Sequence, residues 1–266
     1  MENTDSLRHQ TLTRYITPMR EGGSLPLLGE ADDEFKYVVK MRGAGHGAKA
    51  LIAELIGGMV ARQAGLRVPE LVFLDIDEDF GRTEPDEEVQ DLLRASRGLN
   101  LGLHYLSGAF TMDPWVNPAD DLLASRIVWL DAFLTNVDRT ARNTNMLVRH
   151  GDELWLIDHG ASLYFHHSMA NVDHAALTPF PFIKDHALLR KASRLEQVDA
   201  EMHSRLTPEF FRRVVDTIPD QWLVSDDSRY TPDELRNIYF TFLDTRLRES
   251  RIFVEHANEA RRNALV

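Results

Sequence analysis

Through the first part of the chain apolar and polar residues alternate, and through the later part they recur at three- and four-residue intervals. The alternation predicts strands. Thr11 to Ile16 is the first, with Thr13, Tyr15 and Thr17 on one side, and Pro18 ends it. Phe35 to Met41, rich in aromatic and β-branched residues, predicts another. Leu71 to Ile76 and Gly98 to Leu106 follow in the same manner. One strong helix interrupts them, from about Lys49 to Ala64. Its stripe is Leu51, Leu55, Ile56, Met59 and Val60, and Gly65 is its cap. Val89 to Ser96 predicts a short second helix.

Beyond residues 107–112 the pattern turns helical. A long helix is expected over Pro118 to Asn136, capped by Asn117, with Asp120 and Asp121 in the first turn. A hairpin follows: Met146 to Val148, a turn at Gly151-Asp152, then Leu154 to Ile157. Helices are expected again over Glu196 to Arg205, Pro208 to Pro219, and Pro232 to about Ala264. Thr207-Pro208-Glu209 and Thr231-Pro232-Asp233-Glu234 are their start signals. Arg246, Arg248, Arg251, Arg261 and Arg262, interleaved with acids, read as a solvated helix face. The expected fold class is α+β in two lobes. Residues 1–107 form a β-rich N-lobe with one main helix, and residues 108–266 a mostly helical C-lobe.

Composition narrows the possibilities. A chain of 266 residues with 43% hydrophobic and 27% charged positions can bury a substantial core. A net charge of −12 argues against direct nucleic-acid binding, which relies on Lys and Arg against phosphates. The absence of cysteine excludes disulfides, thiolate zinc sites and a cysteine nucleophile, and fits a cytoplasmic protein. Met1 to Gln10 lacks a signal-peptide core, and the apolar run Leu51 to Val60 is short and carries Glu54, so no membrane span is expected.

The candidate chemistry centres on two loops. Asp138-Arg139-Thr140-Ala141-Arg142-Asn143 precedes the hairpin, and Ile157-Asp158-His159-Gly160 follows it. An acid near an attacking hydroxyl, with an Asn and an Asp offering oxygen to magnesium, is what phosphoryl transfer requires. D-x4-N, a hairpin, then apolar-apolar-D-x-G is the kinase arrangement of catalytic and metal loops. A polar hairpin joining two core strands is the plainer reading. Lys40 ends a strand on an otherwise apolar face, where it either snorkels to water or contacts nucleotide phosphates. Glu54 lies on the next helix, beyond the glycine-rich Arg42 to Gly47. It is either solvated or the partner of Lys40. Gly22, Gly23 and Ser24 form either a plain hairpin turn or a cover for phosphates. Two lobes imply a nucleotide cleft, with the main chain of Tyr105, Leu106 and Ser107 as the adenine contact. His159, His166, His167 and His174 suggest a metal, but their spacing fits no helical pair of histidine ligands.

In order, these motifs are Gly22-Gly23-Ser24, Tyr37-Val38-Val39-Lys40, Gly43-x-Gly45-x-Gly47, Glu54, Asn136-x-Asp138-Arg139-x-x-x-Asn143 and Ile157-Asp158-His159-Gly160. Over roughly residues 11–190 the chain resembles the HipA-like kinase family, in particular its small bacterial kinase-domain proteins. The resemblance implies a protein-kinase-like fold related to phosphatidylinositol kinases, using ATP and Mg2+. By it, Lys40 contacts phosphates, Glu54 positions Lys40, Asp138 is the base, and Asn143 and Asp158 bind metal. Two positions depart: Thr140 replaces the histidine of the DRHxxN loop, and His159 stands where DFG kinases have Phe. The toxin relatives carry a further N-terminal domain, which a chain of this length is not expected to include. The expected activity is transfer of the γ-phosphate of ATP to a hydroxyl, a protein Ser or Thr being favoured. The rivals are an inactive nucleotide-binding module acting through a partner and a metal-dependent phosphoesterase.

Overall fold

Residues 7–19, 26–45, 47–82, 84–116, 119–169, 171–224 and 229–265 are described by a computed structural model. Five strands close into a barrel in the order β1 (Arg8–Pro18), β2 (Leu27–Ala31), β3 (Lys36–Lys40), β5 (Gly98–His104), β4 (Leu71–Ile76). All neighbours are antiparallel except β1 and β4, which pair in parallel and shut the ring. Strand alternation does the sorting. Tyr37 and Val39 point inward with Leu12, Leu27, Val72, Leu74 and Ile76. Helix α2 (Glu87–Ala95) adds Val89 and Leu93 to that core. The interior has no room to spare: a Cβ on Gly102 would sit 2.3 Å from Leu74 Cδ1.

The outward side of β5 carries Leu99, Leu101 and Leu103, and these belong to a second, larger core. Helix α1 (Ala48–Gln63) joins that core rather than the barrel's. The predicted stripe understates it, because α1 is buried nearly all round, from Leu51 to Gly58 and again at Val60 and Ala61. A helix apolar on every side is one enclosed by neighbours. Here they are β5 and two later helices, α6 (Pro208–Asp216) and α7 (Asp220–Leu223). Gly65 adopts φ 81, with Gly65 N–H on Arg62 O and Leu66 N–H on Ala61 O, the paired bonds of a Schellman stop.

A second sheet joins β6 (Phe110–Thr111), β7 (Met146–Arg149) and β8 (Glu153–Leu156). Helix α3 (Asp121–Leu134) starts later than the sequence predicts. Asp120 is its cap, accepting from Leu123 N–H at 2.8 Å, while Asn117 and Pro118 lie outside the described residues. It stops at Thr135, which turns left-handed at φ 56. Helices α4 (Val172–Ala176), α5 (Leu195–Arg205), α8 (Pro232–Arg248) and α9 (Arg251–Ala264) complete the helical part. The predicted capping box at Thr231 and Glu234 is present on α8.

Arg246 corrects the reading of a solvated basic face, for it is only 1% exposed. Its guanidinium donates to the carbonyls of Ala132, Phe133, Ala176 and Thr178. Ala132 and Phe133 lie in the last turn of α3 and Ala176 ends α4, where carbonyls lack intrahelical donors and carry the negative end of the dipole, and Thr178 follows α4. A charge pattern on one helix could not reveal that two other helices end against it.

Candidate active site

Lys40 closes β3 on the side away from the barrel core, and α1 runs past it. Its ammonium lies 2.8 Å from Asp158 Oδ1 and 3.8 Å from Glu54 Oε2. The lysine therefore does not snorkel to water: its side chain is 14% exposed and turned toward acids. Burial pushes its pKa down, but Glu54, Asp158 and Asp138 together outweigh that and hold it above the ordinary lysine value.

Glu54 is not solvated either, at 1% exposed. Burial raises its carboxyl pKa, and Lys40 and His159 more than reverse this, so it stays ionised below the usual range. Neither Glu54 oxygen has a hydrogen-bond partner among the described residues. His159 Nδ1 approaches to 3.5 Å. His159 is wholly buried, and α1 reaches it by giving up a side chain: a Cβ at Gly57 would lie 2.5 Å from His159 Cβ. A glycine inside a helix costs about 1 kcal/mol relative to alanine. Close approach of α1 to the loop after β8 is what that cost permits.

The loop after α3 carries Asp138 and Asn143 to the same place. Asp138 Oδ2 accepts from Asn143 Nδ2 at 2.8 Å and from Asn145 Nδ2 at 3.1 Å. Strand β8 ends one residue before Ile157 and delivers Asp158 at φ 56. A left-handed aspartate is uncommon away from turns and binding sites. Asp158 remains 37% exposed, and Asp138 and Asn143 also face solvent. Lys40, Glu54, Asp138, Asn143 and Asp158 are thus brought into one site. The Lys40–Asp158 contact, which no spacing argument suggested, is shorter than the Lys40–Glu54 contact.

Other expected residues stand differently. Gly22, Gly23 and Ser24 lie outside the described residues. Tyr105 to Ser107 lie between β5 and β6, and Tyr105 N–H already donates to Lys36 O at 2.8 Å. It has no second proton for an adenine. Leu106 is buried and Ser107 exposed. Of the histidines, His159 faces Glu54, while His166 meets Tyr239 Oη at 3.2 Å and its ring centroid lies 4.6 Å from that of His167. Among the described residues no group of three or more His, Cys, Asp or Glu is arranged to hold a metal.

Four residues at the site were given no role from sequence. They are Asn145, Arg139, Asp131 and His186. Asp131 had a visible signal, a lone carboxylate within the apolar run Ile127 to Leu134. It is fully buried and accepts from Arg139 Nε at 2.6 Å, Asn136 Nδ2 at 3.0 Å and His186 Nε2 at 2.9 Å. Arg139 stood in the Asp138-Arg139 motif, but nothing in the sequence gave it a role or a partner.

A family model described as HipA-like kinase matches residues 12–250. The fold is similar to that of a Helicobacter pylori proinflammatory kinase, CtkA, with a TM-score of 0.59 at 13% identity, covering 96% of this chain and 98% of that one. It is also similar to the Golgi casein kinase with Mn/ADP bound, with a TM-score of 0.51 at 11% identity, covering 97% of this chain and 75% of that one. No curated protein sequence matches the chain.

Proposed function

From a chain that belongs to the HipA-like kinase family and is a kinase-type phosphotransferase, we propose that it moves the γ-phosphate of magnesium-bound ATP to a hydroxyl, with a protein serine or threonine as the favoured acceptor. The observation that carries the proposal is the position of Lys40, 2.8 Å from Asp158 and 3.8 Å from a buried Glu54, in the field of Asp138. An ammonium held by one buried and one accessible carboxylate is placed to meet phosphate oxygens.

The donor set suits a small hard cation. Asp158 offers a carboxylate and Asn143 an amide oxygen, and both are accessible. Two protein ligands are few, which fits magnesium, since it keeps waters and takes further oxygens from nucleotide phosphates. When bound, that ion neutralises charge on the phosphoryl group. Asp138 accepts the proton of the acceptor hydroxyl as its oxygen bonds to the γ-phosphorus. The bond from that phosphorus to the bridging oxygen breaks, and ADP leaves. Asn143 and Asn145 hold the Asp138 carboxylate in place through their amides.

The remaining roles follow the same reading. Residues 1–107 act as the N-lobe and 108–266 as the C-lobe, with the nucleotide between them. Gly22, Gly23 and Ser24 cover its phosphates. The adenine edge meets the main chain of Tyr105 to Ser107 through groups other than the Tyr105 N–H. No helix among the described residues is long and apolar enough to cross a membrane. The cysteine-free sequence suits a cytoplasmic setting.

The test is incubation of the purified protein with ATP labelled at the γ-position, with and without magnesium, alone and in host lysate. Magnesium-dependent label on a protein hydroxyl is the expected result. Nucleotide binding without transfer would identify a binding module instead, and phosphate release from a phosphoester without ATP would identify a phosphoesterase.

A second result is expected at Lys40 and Glu54. Lys40→Met and Glu54→Gln remove one function, so the double variant should turn over little more slowly than Lys40→Met alone. Because Glu54 is buried, Lys40→Met should also cost about 3 kcal/mol of stability, as a buried charge loses its partner. Additive effects on turnover in the cycle would show that the two act separately.

A further inference from the structure

Arg139 takes no part in the chemistry above, yet it is 1% exposed at the centre of the catalytic loop. Its Nε donates to Asp131 Oδ2 at 2.6 Å. Its Nη1 donates to three main-chain carbonyls: Asn145, Thr144 at 3.5 Å and Ile157 at 3.3 Å. Two of these carbonyls matter most. Asn145 precedes β7 and places its amide on Asp138. Ile157 follows β8 and precedes Asp158. One planar group therefore spans the open end of the β7–β8 hairpin, where Ile157 N–H also donates to Asn145 O at 3.0 Å.

This end of the hairpin needs holding. Asn145 and Asp158 both lie in the left-handed region, at φ 48 and φ 56. Such conformations persist where the surroundings over-determine them. Asp131 anchors Arg139 from α3 and is itself anchored by His186. Leu188 N–H donates to His186 Nδ1 at 3.0 Å, so the His186 proton sits on Nε2 and points at Asp131. A further tie runs from Ala187 N–H to Arg139 O at 3.1 Å. The rigid fork of a guanidinium can serve a carboxylate and divergent carbonyls at once, which an ammonium on a flexible stem cannot.

We infer that Arg139 is a positioning residue that sets the placement of Asp158 relative to Asp138, acting through the main chain at Asn145 and Ile157. The inference rests on the reading of Asp158 as a metal ligand. Loss of such an outer partner typically weakens metal binding by about 10–100-fold.

The test measures Mn2+ affinity in the presence of ADP, and ADP affinity in metal-free buffer, for the full chain and for Arg139→Lys. Arg139→Lys keeps a charge for Asp131 and loses the span. Mn2+ affinity is expected to fall by about 10-fold or more, with metal-free ADP affinity within about two-fold of the parent. A merely structural role would not separate the two. Unchanged Mn2+ affinity, or an equal loss of both affinities, overturns the inference. Asp131→Asn, which loosens Arg139 without removing it, is the second arm and decides the matter if Arg139→Lys does not fold. A smaller loss of Mn2+ affinity supports the inference, and none overturns it. If the parent chain binds ADP but no Mn2+, the metal reading of Asp158 fails first and the inference with it.

Discussion

Asp158→Asn is expected to lower phosphoryl transfer by at least about 1,000-fold, the upper range for losing one group that stabilises developing charge. It should also weaken magnesium-dependent nucleotide binding, because an amide oxygen replaces an anionic ligand. The fold should survive. Asp158 sits at φ 56, a conformation that asparagine adopts at least as readily as aspartate. The side chain is 37% exposed, so no buried cavity opens. Lys40 loses its nearer acid but keeps Glu54 at 3.8 Å. The measurements are single-turnover transfer, magnesium titration of nucleotide binding, and the unfolding midpoint. Full turnover in a folded variant would remove Asp158 from the metal site.

Asp138→Asn should separate chemistry from binding. Turnover is expected to fall by about 100-fold or more, the range for a lost general base, with nucleotide affinity nearly unchanged. The substitution is gentle here. Asp138 Oδ2 accepts from Asn143 and Asn145, and the asparagine oxygen can accept from the same two amides. What disappears is the capacity to take a proton. A large loss of nucleotide binding with the fold intact would instead assign Asp138 to the metal.

Both positions belong to the part of the site that the order of the chain reveals. Asp138, Asn143 and Asp158 were readable from spacing, because a short loop and a four-residue hairpin strand leave few ways to arrange them. Lys40 and Glu54 were readable as a pair for a similar reason: a strand end, a short loop and the next helix bring them within reach. Their 3.8 Å separation agrees with that reading. The adenine link fared less well. It was read from the change of pattern near residues 107–112 alone, and the N–H of Tyr105 proved to be committed to Lys36.

Local order along the chain therefore determined much of this protein: most strands, though not β2 or β6, α1 and its Gly65 stop, the capping box of α8, and the order of the two loops of the candidate site. These depend on residues a few positions apart, whose geometry the backbone itself limits. Tertiary structure alone decided the rest. It closed the barrel by pairing β1 with β4 in parallel. It enclosed α1 on all sides and set Gly57 against His159. It turned Arg246 from a surface charge into a cap for two helices, and put Lys40 on Asp158. It also assembled Asp131, Arg139 and His186 into one buried cluster. The physical reason is common to all of these. Periodicity tells which side of an element avoids water, but the neighbour that covers that side is chosen by packing among segments far apart in the chain. A buried charge is tolerated only where such distant segments bring it partners, and no single segment records who they are.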